Sequence, residues 1–197
     1  MDPENQLCTE DFAGHLAHNA NLSAKAIMAI AGYGRLAEML NKPEEAKKFT
    51  EMAKRMAIEW ERRADDGDHY RLAFDMPGTN FVWDKVLGLN ILPDRIMKKE
   101  VTFYLKTQNK YGLPLDNRFT WGKTDDTVWS ATMADSEGDF QELIRPIWKY
   151  VNETSSRVPL GDWYETLNAD YINFRARSVV GGVFMKSLDH YLRNKRK

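Results

Sequence analysis

The sequence predicts an all-α protein built from antiparallel helix pairs arranged as an αα-toroid. Three observations carry that prediction. Apolar helices alternate along the chain with amphipathic ones, the connections alternate between short and long, and each long connection leads into an apolar helix. Inner helices, outer helices and one loop-rich end are what such a toroid requires. An irregular helical bundle is the competing architecture.

Residues 21–40 read as a helix that is apolar nearly all round, through Leu22, Ala26, Ile27, Ile30, Ala31, Leu36 and Leu40, with Ala24, Met28, Ala29 and Tyr33 on other faces. Such a helix should be buried on several sides. Asn41-Lys42-Pro43 makes the turn, with Pro43 at a helix start. Residues 44–64 are amphipathic: Ala46, Phe49, Ala53, Met56, Ala57 and Trp60 form one stripe and charged residues cover the rest. Asp65-Asp66-Gly67-Asp68 resembles the opening of a calcium loop but lacks the later glutamate of an EF-hand. A turn into a strand from Tyr70 to Phe74 is expected instead, paired through Pro77-Gly78 with a second strand at Phe81–Val82.

The alternation then repeats. Trp83 to Asn90 reads as a short apolar helix, and Pro93-Asp94 restarts a charged one to about Gln108 with Met97, Val101, Tyr104 and Leu105 inward. Asp125 to Ala134 is small and apolar. Glu137 to Asn152 is amphipathic, with Pro146 expected to kink it. Ser178 to Leu192 is apolar at its start. The connections 41–43, 91–93 and 135–136 are short; 65–82, 109–124 and 153–177 are long, and long loops in compact domains tend to be functional.

Composition narrows the function. The net charge is −1 with no basic stripe, which argues against nucleic acid as a partner. No apolar run is long enough to span a membrane. One cysteine, Cys8, excludes an internal disulfide and leaves the compartment open. Aromatics at 12%, with six Trp, favour a small-molecule cleft. The chain lacks a P-loop, a dinucleotide fingerprint, G-x-S-x-G and H-E-x-x-H, and nothing in it calls for a cofactor.

The candidate site residues lie ahead of the apolar helices. Asp11, His15, His18, Asn19 and Asn21 precede the first, where orphan N–H groups and the helix dipole favour an anion; Asn19 or Asn21 as a plain N-cap is the simpler reading. His15 and His18, spaced three apart, make a weak metal pair without a dedicated third ligand, and no metal is assigned. Cys8 as a nucleophile is set aside. Asp84 starts the second apolar helix, Asp116 and Arg118 precede the third, and Asp162, Trp163, Arg175 and Arg177 precede the fourth. Carboxylates with aromatic walls suit a polar ligand, and an arginine can clamp a carboxylate bidentately.

The strings LCTEDFAGHLAHNANLSAKAI from residue 7, DDGDHYRLAFDMPGT from 65, VWDKVLGLNILP from 82, QNKYGLPLDNR from 108, VPLGDWY from 158 and ARSVVGG from 176 together resemble the glutaminase A family. The resemblance runs over roughly residues 7–190. It implies an (α/α)6 toroid of six helix pairs like that of the six-hairpin glycosidases, commonly with an upstream β-rich domain, in secreted, periplasmic or surface proteins. It implies hydrolysis of L-glutamine to glutamate and ammonia. On that basis residues 1–197 form a single helical domain of about three and a half pairs, the C-terminal portion of the larger toroid. The upstream portion of the same protein is then its partner.

The expected reaction is hydrolysis of the glutamine side-chain amide, one carboxylate acting as base on water and a second, protonated, giving its proton to the leaving amine. Asp11 and Asp116 are the first choice for that pair, with Asp84 and Asp162 as alternates. His15, Asn19, Trp163 and Arg118 or Arg177 are the expected substrate contacts. A glycoside hydrolase on the same scaffold uses the same residue types. A non-catalytic helical binding module is the rival from another class.

Overall fold

A computed structural model describes residues 18–70, 81–115, 119–156, 160–173 and 175–196. The chain divides into two compact units, residues 1–96 and 97–197. Among the described residues the first unit holds α1 (Ala20–Met39), α2 (Pro43–Ala64), α3 (Val82–Leu87) and the start of α4 (Asp94–Thr107). The second holds the rest of α4, strand β1 (Trp121–Lys123), α5 (Thr124–Thr132), α6 (Glu137–Glu153), strand β2 (Trp163–Glu165), a 3-10 helix (Ser178–Phe184) and α7 (Met185–Arg196). No described helix is long and apolar enough to cross a membrane.

In the first unit α1 and α2 pack as an antiparallel pair through small side chains. Ala20, Ala24, Ile27 and Ala31 meet Ala53, Ala57, Trp60 and Ala64, all buried. Gly34 permits the approach: a Cβ there would lie 2.8 Å from Thr50 Oγ1 and 3.2 Å from Thr50 N. Trp60 anchors the far end, its indole N–H donating to Ala20 O at 2.8 Å and its ring meeting Phe81 edge-on at 4.6 Å. That contact explains why Phe81 and Val82 open α3 rather than pairing as the expected strand: both are fully buried, which a helix start packed on Trp60 achieves. The 65–70 segment is a turn, with Gly67 at φ +86° and its N–H bonded to Asp65 Oδ1 at 3.0 Å.

The first apolar helix departs from expectation on one side. Ile27 is buried, yet Tyr33, Leu36, Met39 and Leu40 are exposed. The last apolar segment departs too: Gly181-Gly182 gives a 3-10 helix, none of whose residues is buried, before α7 begins.

In the second unit α5 is the central helix, buried along most of its length although it carries Thr, Ser and Asp. Two of its hydroxyls fold back on the backbone, Thr127 onto Lys123 O at 2.8 Å and Thr132 onto Val128 O at 2.7 Å, which removes their need for outside partners. The Ser136 hydroxyl caps α6 by accepting from Asp139 N at 3.0 Å. Pro146 lies inside α6 and has no N–H for the Glu142 carbonyl, which accepts from the Gln108 side chain at 3.3 Å.

The small antiparallel sheet joins the two long loops of this unit, 108–123 and 154–177. Trp121, Gly122 and Lys123 face Glu165, Tyr164 and Trp163. Gly122 is required there, since a Cβ would lie 2.7 Å from Thr166 Cγ2 and 3.0 Å from Leu113 O. Beneath it Tyr150 and Tyr164 stack at 3.9 Å, and the Tyr164 hydroxyl donates to Tyr111 O at 2.8 Å.

Candidate functional site

The sheet delivers a lysine into the protein interior. Lys123 ends β1 immediately before α5, and its side chain is only 5% exposed. A buried ammonium needs opposite charge. It finds two carboxylates in the first turn of α5: Asp125 Oδ2 at 3.3 Å and Asp126 Oδ2 at 3.4 Å. Acidic groups in that turn are also favoured by the helix dipole.

Among the described residues Asp125 Oδ1 and Thr124 Oγ1 are buried without a hydrogen-bond partner. Burial pushes the Asp125 carboxyl up from its ordinary value; the Lys123 ammonium and its own backbone N–H oppose the rise, and the charge of Asp162 adds to it. Such a carboxyl is a group able to hold a proton and deliver it.

Asp162, fully buried, lies just before β2. Its backbone carbonyl accepts the N–H of Thr124 at 2.9 Å, the first residue of α5. Its carboxylate takes the fork of Arg177, Nε meeting Oδ1 at 3.2 Å and Nη2 meeting Oδ2. Arg177 is the N-cap residue immediately before the 3-10 helix. Gly182 in that helix presses on the acidic turn, where a Cβ would lie 2.7 Å from Asp125 Cβ and 2.9 Å from Trp129 Nε1. Trp163 meets Trp121 edge-on at 5.1 Å, and Trp121 stacks on Phe119 at 4.1 Å. Two carboxylates, a buried cation, an ion pair and an aromatic wall therefore meet where β1 passes into α5.

Of the residues expected from the sequence, Asp162, Trp163 and Arg177 fall in this cluster. Asp11, His15, Asp116 and Arg118 lie outside the described residues. Asn19 caps α1, Oδ1 accepting from Leu22 N at 2.9 Å. Asp84 is buried in the first unit and braces the loop after α3, accepting from Ile91 N at 2.9 Å and Leu92 N at 3.2 Å. Burial raises its carboxyl from the ordinary value against those two N–H groups, and the charge of Asp94 adds to the rise.

Sequence reasoning missed Lys123, Asp125 and Asp126 as site residues. The signal was the string Lys123-Thr124-Asp125-Asp126: a cation immediately before a helix that carries two acids in its first turn and no other charge. Read locally, the two aspartates are ordinary first-turn acids, and nothing local says that the lysine is buried.

Comparison with known proteins matches residues 1–187 to the glutaminase A six helical-hairpin domain. The chain is similar to glutaminase A of Aspergillus oryzae (strain ATCC 42149 / RIB 40), 32% identical over 194 residues, covering 92% of this chain and 28% of the relative. It is also similar to a probable glutaminase of Arthroderma benhamiae (strain ATCC MYA-4681 / CBS 112371), 31% identical over 221 residues, covering 93% of this chain and 26% of the relative. The chain thus spans little more than a quarter of the length of these relatives.

Proposed function

Because this chain belongs to the glutaminase A six helical-hairpin family, we propose that it carries part of the machinery for hydrolysing the side-chain amide of L-glutamine to glutamate and ammonia. The observation behind this reading is the pair of carboxylates on one buried lysine, with Asp125 raised towards its protonated form. Amide hydrolysis needs a base for water and an acid for the departing nitrogen. Asp126 takes a proton from water as the oxygen bonds to the amide carbon. Asp125 then gives its proton to the nitrogen as the C–N bond breaks, and ammonia leaves. The Lys123 ammonium offsets the negative charge that builds up between them.

Arg177 is committed to Asp162, so Arg118 is assigned to the α-carboxylate of the substrate, and Trp163 with Trp121 forms a wall for its methylene groups. Asp11 and Asp116, the pair expected from the sequence, belong in the same assay as variants. The test is ammonia release from L-glutamine beside a panel of aryl glycosides. The reading requires ammonia from glutamine and none of the aryl alcohol; the reverse result assigns the site to glycoside hydrolysis.

A further inference from the structure

We propose that Asp162 and Arg177 are a positioning pair for Asp125: Asp162 ties both ends of the strap from β2 to the 3-10 helix onto the start of α5, and neither residue need touch substrate. The inference rests on the reading of Asp125 as the proton donor. Its geometry stands by itself. One residue makes both attachments, its backbone to Thr124 N at 2.9 Å and its side chain to Arg177, the N-cap of the 3-10 helix. Within the strap Ile172 N donates to Trp163 O at 2.9 Å, and at its end Gly182 rests on Asp125. The strap is therefore fixed beside Thr124 at one end and leads at the other to Gly182 against Asp125, and the carboxylate that fastens it also places a negative charge near Asp125. Burial of the Asp125 carboxyl and the like charge of Asp162 both favour a proton on Asp125.

Other charged groups stand on the elements packed against α5. β1 brings Lys123, and α5 itself brings Asp126. The 3-10 helix has no ionisable side chain. On α7, Lys186 lies over the Phe140 ring at 4.7 Å and Asp189 binds Arg193 at 2.8 Å. On α6, Lys149 pairs with Glu153, and the Tyr150 hydroxyl is pushed up to about 12 by burial, with Asp162 adding.

The experiment uses the whole chain without substrate, so its outcome does not depend on whether glutamine is hydrolysed. The Asp125 carboxyl carbon is titrated by NMR, and labelling of Lys123 by an amine reagent is followed by mass spectrometry. In Asp162→Asn the Asp125 midpoint should fall by roughly half a pH unit or more, and Lys123 labelling should rise several-fold. Arg177→Lys, which keeps the charge but loses the fork, should give a smaller change of the same kind. Arg193→Gln, which breaks the ion pair on α7, should lower stability while moving neither readout. A folded Asp162→Asn protein with the Asp125 midpoint and Lys123 labelling of the wild type overturns the proposal. If Asp162→Asn does not fold, an unchanged midpoint and labelling in Arg177→Lys does so.

Discussion

Asp84 and Asp125 show how one residue type is put to two uses by its surroundings. Both are buried carboxyls raised from the ordinary value of 3.8. Asp84 gives its two oxygens to backbone N–H groups, whereas Asp125 keeps one oxygen without a hydrogen bond. Asp84→Asn should therefore cost about 1–3 kcal/mol, since an amide nitrogen cannot accept from a backbone N–H. Hydrogen exchange should show Ile91 and Leu92 losing protection first. Asp125 has a pH signature. Its folded form binds the proton more tightly than the unfolded chain, so its contribution is fully present below pH 3.8 and is lost as pH rises through its higher folded value. Asp125→Asn should flatten unfolding free energy against pH from 3.8 upward; an unchanged slope would mean that Asp125 is not raised. Asp84 and Asp162 were visible in the sequence as acids before apolar helices. Their different partners were not, because those partners lie 7 and 15 residues along the chain.

At the scale of elements, helix type and loop length were legible because they are periodic or local. The α1–α2 turn and Pro43 are written in adjacent residues, and the helices end within a few residues of where periodicity places them. What was not legible depended on contacts between elements. Phe81 and Val82 have strand propensity, but Phe81 packs edge-on against Trp60 and Val82, also buried, begins a helix. The β pair joins segments some 40 residues apart, beyond any local signal. Gly34 reads as a weak point in a helix, yet it sets the spacing of the first pair. Gly34→Ala should destabilise the chain by about 1–3 kcal/mol through overpacking on Thr50. Thermal unfolding checks this. Thr50→Ala in the same chain should recover only part of the loss, because Thr50 N and Ala46 O would still lie 3.2 and 3.3 Å from the new methyl. A Gly34→Ala protein as stable as wild type would mean that α1 and α2 can separate freely.

The whole molecule is set by the apolar surface left uncovered. Tyr33, Leu36 and Met39 of α1 and Leu40 just after it are exposed; Phe184 of the 3-10 helix and Leu188 and Tyr191 of α7 are exposed in the second unit. Apolar surface of this kind favours association. Sedimentation should show mass rising with concentration, and Leu36→Lys with Leu40→Lys should reduce the rise; a monomer of 22.8 kDa at every concentration would contradict this. The family is defined by six helical hairpins, and this chain spans little more than a quarter of its relatives' length, so a low turnover is expected from the chain alone. The most direct measurement is therefore the rate of ammonia release from L-glutamine by the chain and by its Asp125→Asn variant, with folding of both verified. Slow, glutamine-dependent release is expected, lowered by the variant at least about a hundredfold, as for loss of a proton donor. Release unchanged in a folded Asp125→Asn variant, or none above the blank from wild type, would contradict it.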